Sequence, residues 1–186
     1  MAGKTRRKRI PICFFHGLDS SPWGTKGSII RETYPDCIIP KLSPGLSERL
    51  REAQKAIKEP VLLTGTSMGG LTAIQYAMEN PEMARGLVLM APAVGGAVPG
   101  VFTDVQEKML SSVYIPSGIP SVIIAGIRDE VIPLEAIHGL IERSPQGQGI
   151  ILHEVEDDHD LHNHLHLMLE ELDKMLARIQ GFPPPL

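Results

Sequence analysis

A serine flanked by glycines is the strongest chemical signal in the sequence. Residues 65–69 read Gly-Thr-Ser-Met-Gly, directly after an apolar segment and directly before an amphipathic helical pattern. Glycines two residues either side of a serine let a strand turn sharply into a helix, which exposes the hydroxyl of Ser67 as a nucleophile. The Gly-Lys-Ser/Thr of a phosphate-binding loop is missing from this motif. Residues 65–69 therefore predict a nucleophilic serine, with a structural serine in a tight turn as the alternative.

A serine hydroxyl is a weak nucleophile at neutral pH, so it needs a general base and an acid that orients the base. Asp129 lies just beyond the carboxyl end of the fifth predicted strand, and His159 follows the sixth. In α/β proteins this edge of the sheet carries the chemistry. Asp129 is the predicted acid and His159 the predicted base. Their neighbours Glu130 and His162 are the internal competitors for the two roles.

The segment after the first predicted strand, residues 16–22, reads His-Gly-Leu-Asp-Ser-Ser-Pro. An oxyanion hole needs two amide donors, and the predicted donors are the amides of Leu18 and Met68, the residue after the nucleophile. Because only one base is required, His16 is interpreted as orienting this loop rather than as a catalytic group. Contacts with the substrate are assigned to three residues in this region: His16, Gly17 and Trp23.

Six short apolar segments alternate with helical patterns, which predicts an α/β fold with about six mostly parallel strands and helices on both faces. The predicted strands are residues 10–15, 37–40, 61–64, 87–90, 121–125 and 149–155. The predicted helices are residues 26–34, 46–58, 67–78, 134–143 and 165–179, with one more near residues 103–111. This alternation would bring the serine, the acid and the histidine to one edge of the sheet.

The charge distribution indicates one acidic domain between two terminal segments. The predicted organisation is a basic arm at residues 1–9, one α/β domain at residues 10–181 and a proline-rich tail at residues 182–186. The net charge is −4, but the arm carries five positive charges and the remainder −9. Because Lys and Arg are not spread over a folded face, a nucleic-acid partner is not expected.

The apolar segments and the cysteines bear on location. No apolar run is long enough to span a bilayer, and the start of the chain lacks the apolar core of a secretory signal. Cys13 and Cys37 lie in predicted strands, where a free thiol behaves as a small apolar side chain. A reduced, cytoplasmic protein of unknown oligomeric state is the resulting prediction.

With these motifs in place, the sequence resembles the α/β-hydrolase superfamily over almost its whole length. Within it, residues 16–22 followed by residues 65–70 look like those of small, lidless bacterial serine esterases. The order Ser, Asp, His is also the one that this fold uses. The resemblance implies a compact fold without the first two strands, hydrolysis of a carboxylic ester through an acyl-enzyme, and no metal or organic cofactor. The prediction is a small carboxylic ester or thioester as substrate, and the sequence leaves ester, thioester and amide open. The sequence departs from the pattern where Asp157 and Asp158, rather than a glycine, precede the histidine.

Two other functions compete with this prediction. Residues 157–166 contain four histidines and three aspartates, and His162 and His166 have the i, i+4 spacing that a zinc site can use. A metal-dependent hydrolase is therefore one alternative, although no glutamate follows His162 as in H-E-x-x-H. The other is a non-catalytic binding protein on a hydrolase scaffold, because a fold alone does not establish a function.

Overall fold

Five parallel strands form one sheet in the order β1-β2-β3-β4-β5. The computed structural model describes residues 9–95, 110 and 112–181. The strands are β1 (Ile12–Phe15), β2 (Val61–Thr66), β3 (Ala84–Met90), β4 (Ser121–Gly126) and β5 (Ile151–Val155). Consecutive parallel neighbours each need a crossover on one face of the sheet. The α/β class predicted from the sequence is confirmed.

The predicted strand at residues 37–40 is the one that does not form. Ile38 makes only an isolated parallel bridge to Cys13 beside β1. The Ile38 amide donates to the carbonyl of Ile12 at 2.8 Å, and the Phe14 amide donates to the carbonyl of Ile38 at 2.9 Å. Pro40 has no amide hydrogen, so it cannot donate to a longer ladder. The prediction of six strands is therefore too high by one among the described residues.

All five helices predicted within the described residues are present. They are α1 (Thr25–Thr33), α2 (Leu46–Ala56), α3 (Met68–Glu79), α4 (Leu134–Arg143) and α5 (Leu165–Gln180), with short 3₁₀ turns at Pro81–Met83 and His162–His164. No helix in the described part of the chain is long and apolar enough to cross a membrane. Three predicted segments lie wholly or mostly outside the described residues: residues 1–8 of the arm at residues 1–9, the tail at residues 182–186, and nearly all of the helix at residues 103–111.

The sheet is buried on both faces, which explains its continuous apolar strands. In β1, Phe15 belongs to the core beneath α2, α3 and α4, whereas Phe14 belongs to the core beneath α1 and α5. Successive side chains of a strand point to opposite faces, so each central strand supplies both cores. In β2, Leu63 belongs to the same core as Phe15, and Leu62 belongs to the same core as Phe14. Both cores hold the strand ends in fixed register, and the site is built on those ends.

We predict that Gly69→Ala destabilises the protein because α3 approaches β1 too closely for a side chain. A Cβ at Gly69 would overlap the backbone carbonyl of Phe15. Alanine is the better helix former, yet this clash is expected to lower the free energy of unfolding by about 2 kcal/mol or more, measured by urea denaturation. Gly139→Ala in α4 is the matched control, since its Cβ would meet only the flexible guanidinium of Arg143. Equal unfolding midpoints for Gly69→Ala and wild type would contradict the close approach.

Candidate active site

Ser67 occupies the turn between β2 and α3 in a strained backbone conformation. Its φ is 52° and its ψ is −121°, a region that a residue with a Cβ rarely adopts. Hydrogen bonds on both sides hold it there: the Ser67 amide donates to the carbonyl of Met90 at 3.0 Å, and the Ser67 carbonyl accepts from the amides of Leu71 and Ala93 at 3.1 and 3.0 Å. The conformation presents the side chain at the carboxyl edge of the sheet, as residues 65–69 predict.

His159 and Asp129 form a hydrogen-bonded pair at the same edge. The Nδ1 of His159 lies 2.8 Å from Oδ2 of Asp129, whose side chain is only 2% exposed. The other carboxylate oxygen, Oδ1, accepts from the amides of Val131 and Ile132, each at 2.8 Å. Because the carboxylate only accepts, Nδ1 of His159 carries the hydrogen and Nε2 is left able to take a proton. The competitor Glu130 is exposed to solvent.

A cavity of about 360 Å³ brings most of the predicted site together. Its lining includes these predicted site residues and the competing histidine: Gly17, Leu18, Ser67, Met68, His159 and His162. Two residues assigned to the substrate, His16 and Trp23, are not among the described residues that line it. His16 is buried, and Trp23 is 74% exposed with the guanidinium of Arg31 stacked 4.0 Å from its ring.

Buried His16 controls the direction of the Leu18 amide. The Leu42 amide donates to Nε2 of His16 at 3.1 Å, so the ring hydrogen is on Nδ1, which donates to the carbonyl of Gly17 at 2.8 Å. Burial lowers the pKa of His16, which favours this neutral ring. In a trans peptide the N–H points opposite to the C=O. The hydrogen bond from the His16 ring to the Gly17 carbonyl therefore directs the Leu18 N–H away from that ring. Leu18 lines the cavity.

The second amide, that of Met68, is oriented in the same manner. The Ser67 carbonyl shares its peptide plane with the Met68 N–H, and it is held by the amides of Leu71 and Ala93. Met68 is the first residue of α3, where an N–H has no partner within the helix and the helix dipole is positive. Neither the Leu18 nor the Met68 amide has a hydrogen-bond partner among the described residues. Two free, fixed donors suit an oxygen that acquires negative charge.

The histidine and aspartate cluster at residues 157–166 contains one hydrogen-bonded His–Asp pair, His164–Asp157, whereas His159 pairs with Asp129 outside the cluster. Asp157 is 2% exposed and accepts hydrogen bonds from the Asp158 amide, the Asn163 amide and side chain, and Nδ1 of His164 at 2.9–3.0 Å. Burial alone would raise the pKa of Asp157, but these hydrogen bonds, that of His164 foremost, lower it to about 2. Among the described residues no three His, Cys, Asp or Glu side chains are grouped as metal ligands. Asp157 therefore shapes the loop that carries His159.

One cavity residue carries no signal in the sequence. Lys26 of α1 is buried, lines the cavity and donates from Nζ to the carbonyl of Asp160, the residue after His159. Burial lowers its pKa, while the acid side chains of the His159 loop, Asp160 foremost, oppose that shift. In the sequence Lys26 resembles any surface lysine of a helix. Only the fold shows that it links α1 to the loop that carries His159.

Comparison with known proteins is consistent with this geometry. The family model described as serine aminopeptidase, S33, matches residues 46–121, which include Ser67. No curated protein matches the sequence.

Solved structures match over most of the chain. Alpha/beta hydrolase domain-containing protein 10 from mouse is 18% identical with a TM-score of 0.75, and the match covers 96% of this chain and 92% of that one. Est1E from Butyrivibrio proteoclasticus is 17% identical with a TM-score of 0.71, and the match covers 96% of this chain and 91% of that one. The monoacylglycerol lipase of Paleococcus ferrophilus is 16% identical with a TM-score of 0.66, and the match covers 91% of this chain and 96% of that one. At these identities the likeness concerns the fold.

We predict that Asp157 contributes to stability in a pH-dependent manner. Its folded pKa of about 2 lies below the ordinary value of an aspartate, so the unfolded chain binds the proton more tightly. The contribution, about 2 kcal/mol, is present above roughly pH 4 and is lost as the pH falls towards 2. Urea unfolding across this interval is expected to show a smaller loss of stability for Asp157→Asn than for wild type. Glu156→Gln, at an exposed ion pair with Arg128, serves as control. Parallel curves for Asp157→Asn and wild type would contradict the assignment.

Proposed function

We propose that this chain, which has the α/β-hydrolase fold, is a serine hydrolase that cleaves a small carboxylic ester or thioester through an acyl-enzyme. The observation that supports the proposal most is the meeting of Ser67 and His159 in one cavity, with the His159–Asp129 pair 2.8 Å apart. A reducing, cytoplasmic setting is part of the proposal, since Cys13 and Cys37 are free thiols.

Acylation would begin when Oγ of Ser67 attacks the carbonyl carbon of the substrate and its proton passes to Nε2 of His159. The carbonyl oxygen becomes negative and accepts hydrogen bonds from the amides of Leu18 and Met68. Asp129 keeps the imidazole oriented and stabilises its positive charge. When the bond to the alcohol breaks, His159 returns the proton to the leaving oxygen. The products of this half-reaction are the free alcohol and an ester on Ser67.

Deacylation would use the same groups on water. His159 removes a proton from a water molecule as its oxygen attacks the acyl carbon, and the new oxyanion uses the same two amides. Collapse breaks the bond to Oγ of Ser67, which regains the proton from His159. The net reaction adds one water molecule to the ester and restores the enzyme.

We predict that Ser67→Ala lowers kcat for p-nitrophenyl acetate to below about a hundredth of wild type while the fold stays intact, because the hydroxyl supplies the bond-forming oxygen. Asp129→Asn and His159→Ala are each expected to lower kcat about a thousandfold, since the three residues act as a unit. His162→Ala is the matched histidine control and is expected to cause a much smaller loss. A larger effect at His162 would make that residue the base.

We also expect that EDTA does not inhibit the enzyme, because a serine triad needs no metal ion. Loss of activity with EDTA that zinc restores would favour the metal-dependent alternative.

We also predict a preference for short acyl chains. The cavity of about 360 Å³ has apolar walls at only a few described positions, among them Phe14, Ala93 and Ile132. The sequence suggests five further wall residues: Val94, Val98, Val101, Phe102 and Trp23. Val94 and Trp23 are not among the described residues that line the cavity, and the other three lie outside the described residues. Each buried methylene contributes about 0.8 kcal/mol, so the gain ends when the wall ends. We expect a higher kcat/KM for p-nitrophenyl acetate or butyrate than for the laurate or palmitate. A steady rise to sixteen carbons, measured below the micelle concentration, would contradict a short pocket.

A further inference from the structure

Arg49 is a fully buried cation that the proposed mechanism does not use. It lies in α2 with 0% exposure, and none of the ion pairs among the described residues includes it, although the charge of Glu52 is near enough to oppose the effect of burial on its pKa. Burial lowers its pKa to about 10, so the guanidinium remains charged at neutral pH. Burying a charge without a direct ion pair is costly unless its donors are satisfied. The positions of its acceptors therefore indicate what this charge does.

The guanidinium contacts the supports of both predicted oxyanion donors. Nη2 donates to the carbonyl of His16, whose ring holds the peptide of Leu18. Nε donates to Oγ1 of Thr72 at 2.9 Å, and that hydroxyl donates to the carbonyl of Met68 at 2.7 Å. One planar group thus joins the end of β1 to the first turn of α3. These are the two segments that carry the free amides.

A third contact extends the network to the loop before α2. Nη1 of Arg49 donates to the carbonyl of Ser43 at 3.1 Å. The carboxylate of Glu52, one turn further along α2, accepts from the amide and hydroxyl of Ser43 at 2.7 and 2.6 Å. The preceding residue, Leu42, donates its amide to the ring of His16. The loop before α2 therefore holds the ring of His16, and Arg49 of α2 holds its carbonyl.

We propose that Arg49 is a positioning residue for the oxyanion hole, an inference that rests on the proposed function. It fixes the separation and direction of the Leu18 and Met68 amides through His16 and Thr72. Its charge lies in a buried, low-dielectric region, where a nearby cation favours negative charge more strongly than it would in water. Arg49 touches neither Ser67 nor His159, so it acts on the rate of the chemical step and not on the formation of the His159–Asp129 pair.

The test uses a fluorophosphonate probe on the full chain, because its attack by serine also creates a negative oxygen. The final extent of labelling counts competent molecules, and the rate constant reports the chemical step. For Arg49→Met we expect a rate constant at least about tenfold lower than wild type, since the loss of one oxyanion donor costs a hundredfold or more. Arg49→Lys keeps the positive charge but lacks the planar set of N–H donors of the guanidinium, so an intermediate rate constant is expected. The final extent of labelling should stay equal to that of wild type.

Two further variants protect the test against simple destabilisation. Met175→Ala truncates the core beneath α5, on the other face of the sheet, and is expected to lower stability without lowering the rate constant. Thr72→Val removes the hydroxyl between Arg49 and Met68 with little change of shape, so it tests the same link if Arg49→Met does not fold. We expect a rate constant at least about threefold lower for it, a fraction of the cost of a lost donor.

The outcomes separate this inference from the function on which it rests. An unlabelled wild type would overturn the proposed function itself. A labelled wild type, together with rate constants for Arg49→Met and Thr72→Val within twofold of it, would overturn only the positioning role. A lower final extent with an unchanged rate constant would show that Arg49 serves folding alone, and would overturn that role too.

Discussion

The site depends on the strained backbone of one residue, Ser67. Its φ of 52° costs on the order of 1–3 kcal/mol, which the surrounding structure must offset. The carbonyl of Met90 and the amides of Leu71 and Ala93 supply the hydrogen bonds that do so. The same bonds expose the side chain, start α3 and direct the Met68 amide towards the cavity. The proposed nucleophile and one of the two proposed oxyanion donors thus depend on the same backbone conformation.

The second donor is built differently, from buried polar side chains. The neutral ring of His16 holds the Gly17 carbonyl, and the guanidinium of Arg49 holds the carbonyl of His16. Polar groups in a low-dielectric interior strengthen one another when all are satisfied and are costly when they are not. We propose that the two amides are therefore in place before any substrate binds. Such preorganisation is what makes an oxyanion hole effective, because no dipole has to reorient during the reaction.

Local pattern was sufficient to predict some parts of this structure and not others. Alternating apolar segments located five strands and five helices, and the residues around Ser67, Asp129 and His159 indicated where side chains of suitable chemistry would meet. The strand predicted at residues 37–40 is wrong because Pro40 cannot donate to a ladder. The burial of Arg49 and Asp157 was not predicted, because both are charged residues in ordinary polar surroundings of the sequence and only tertiary packing buries them. Trp23 was assigned to the substrate as part of an apolar wall, but it is not among the described residues that line the cavity.

The role proposed for Ser67 is that of the activated nucleophile. It is tested most directly by treating the full chain with a stoichiometric amount of a fluorophosphonate, digesting the product and locating the adduct by tandem mass spectrometry. We expect one adduct per chain, on the peptide that contains Ser67 and at that residue. An adduct at another serine, such as Ser20 of the loop after β1, or a chain that remains unmodified, would contradict it.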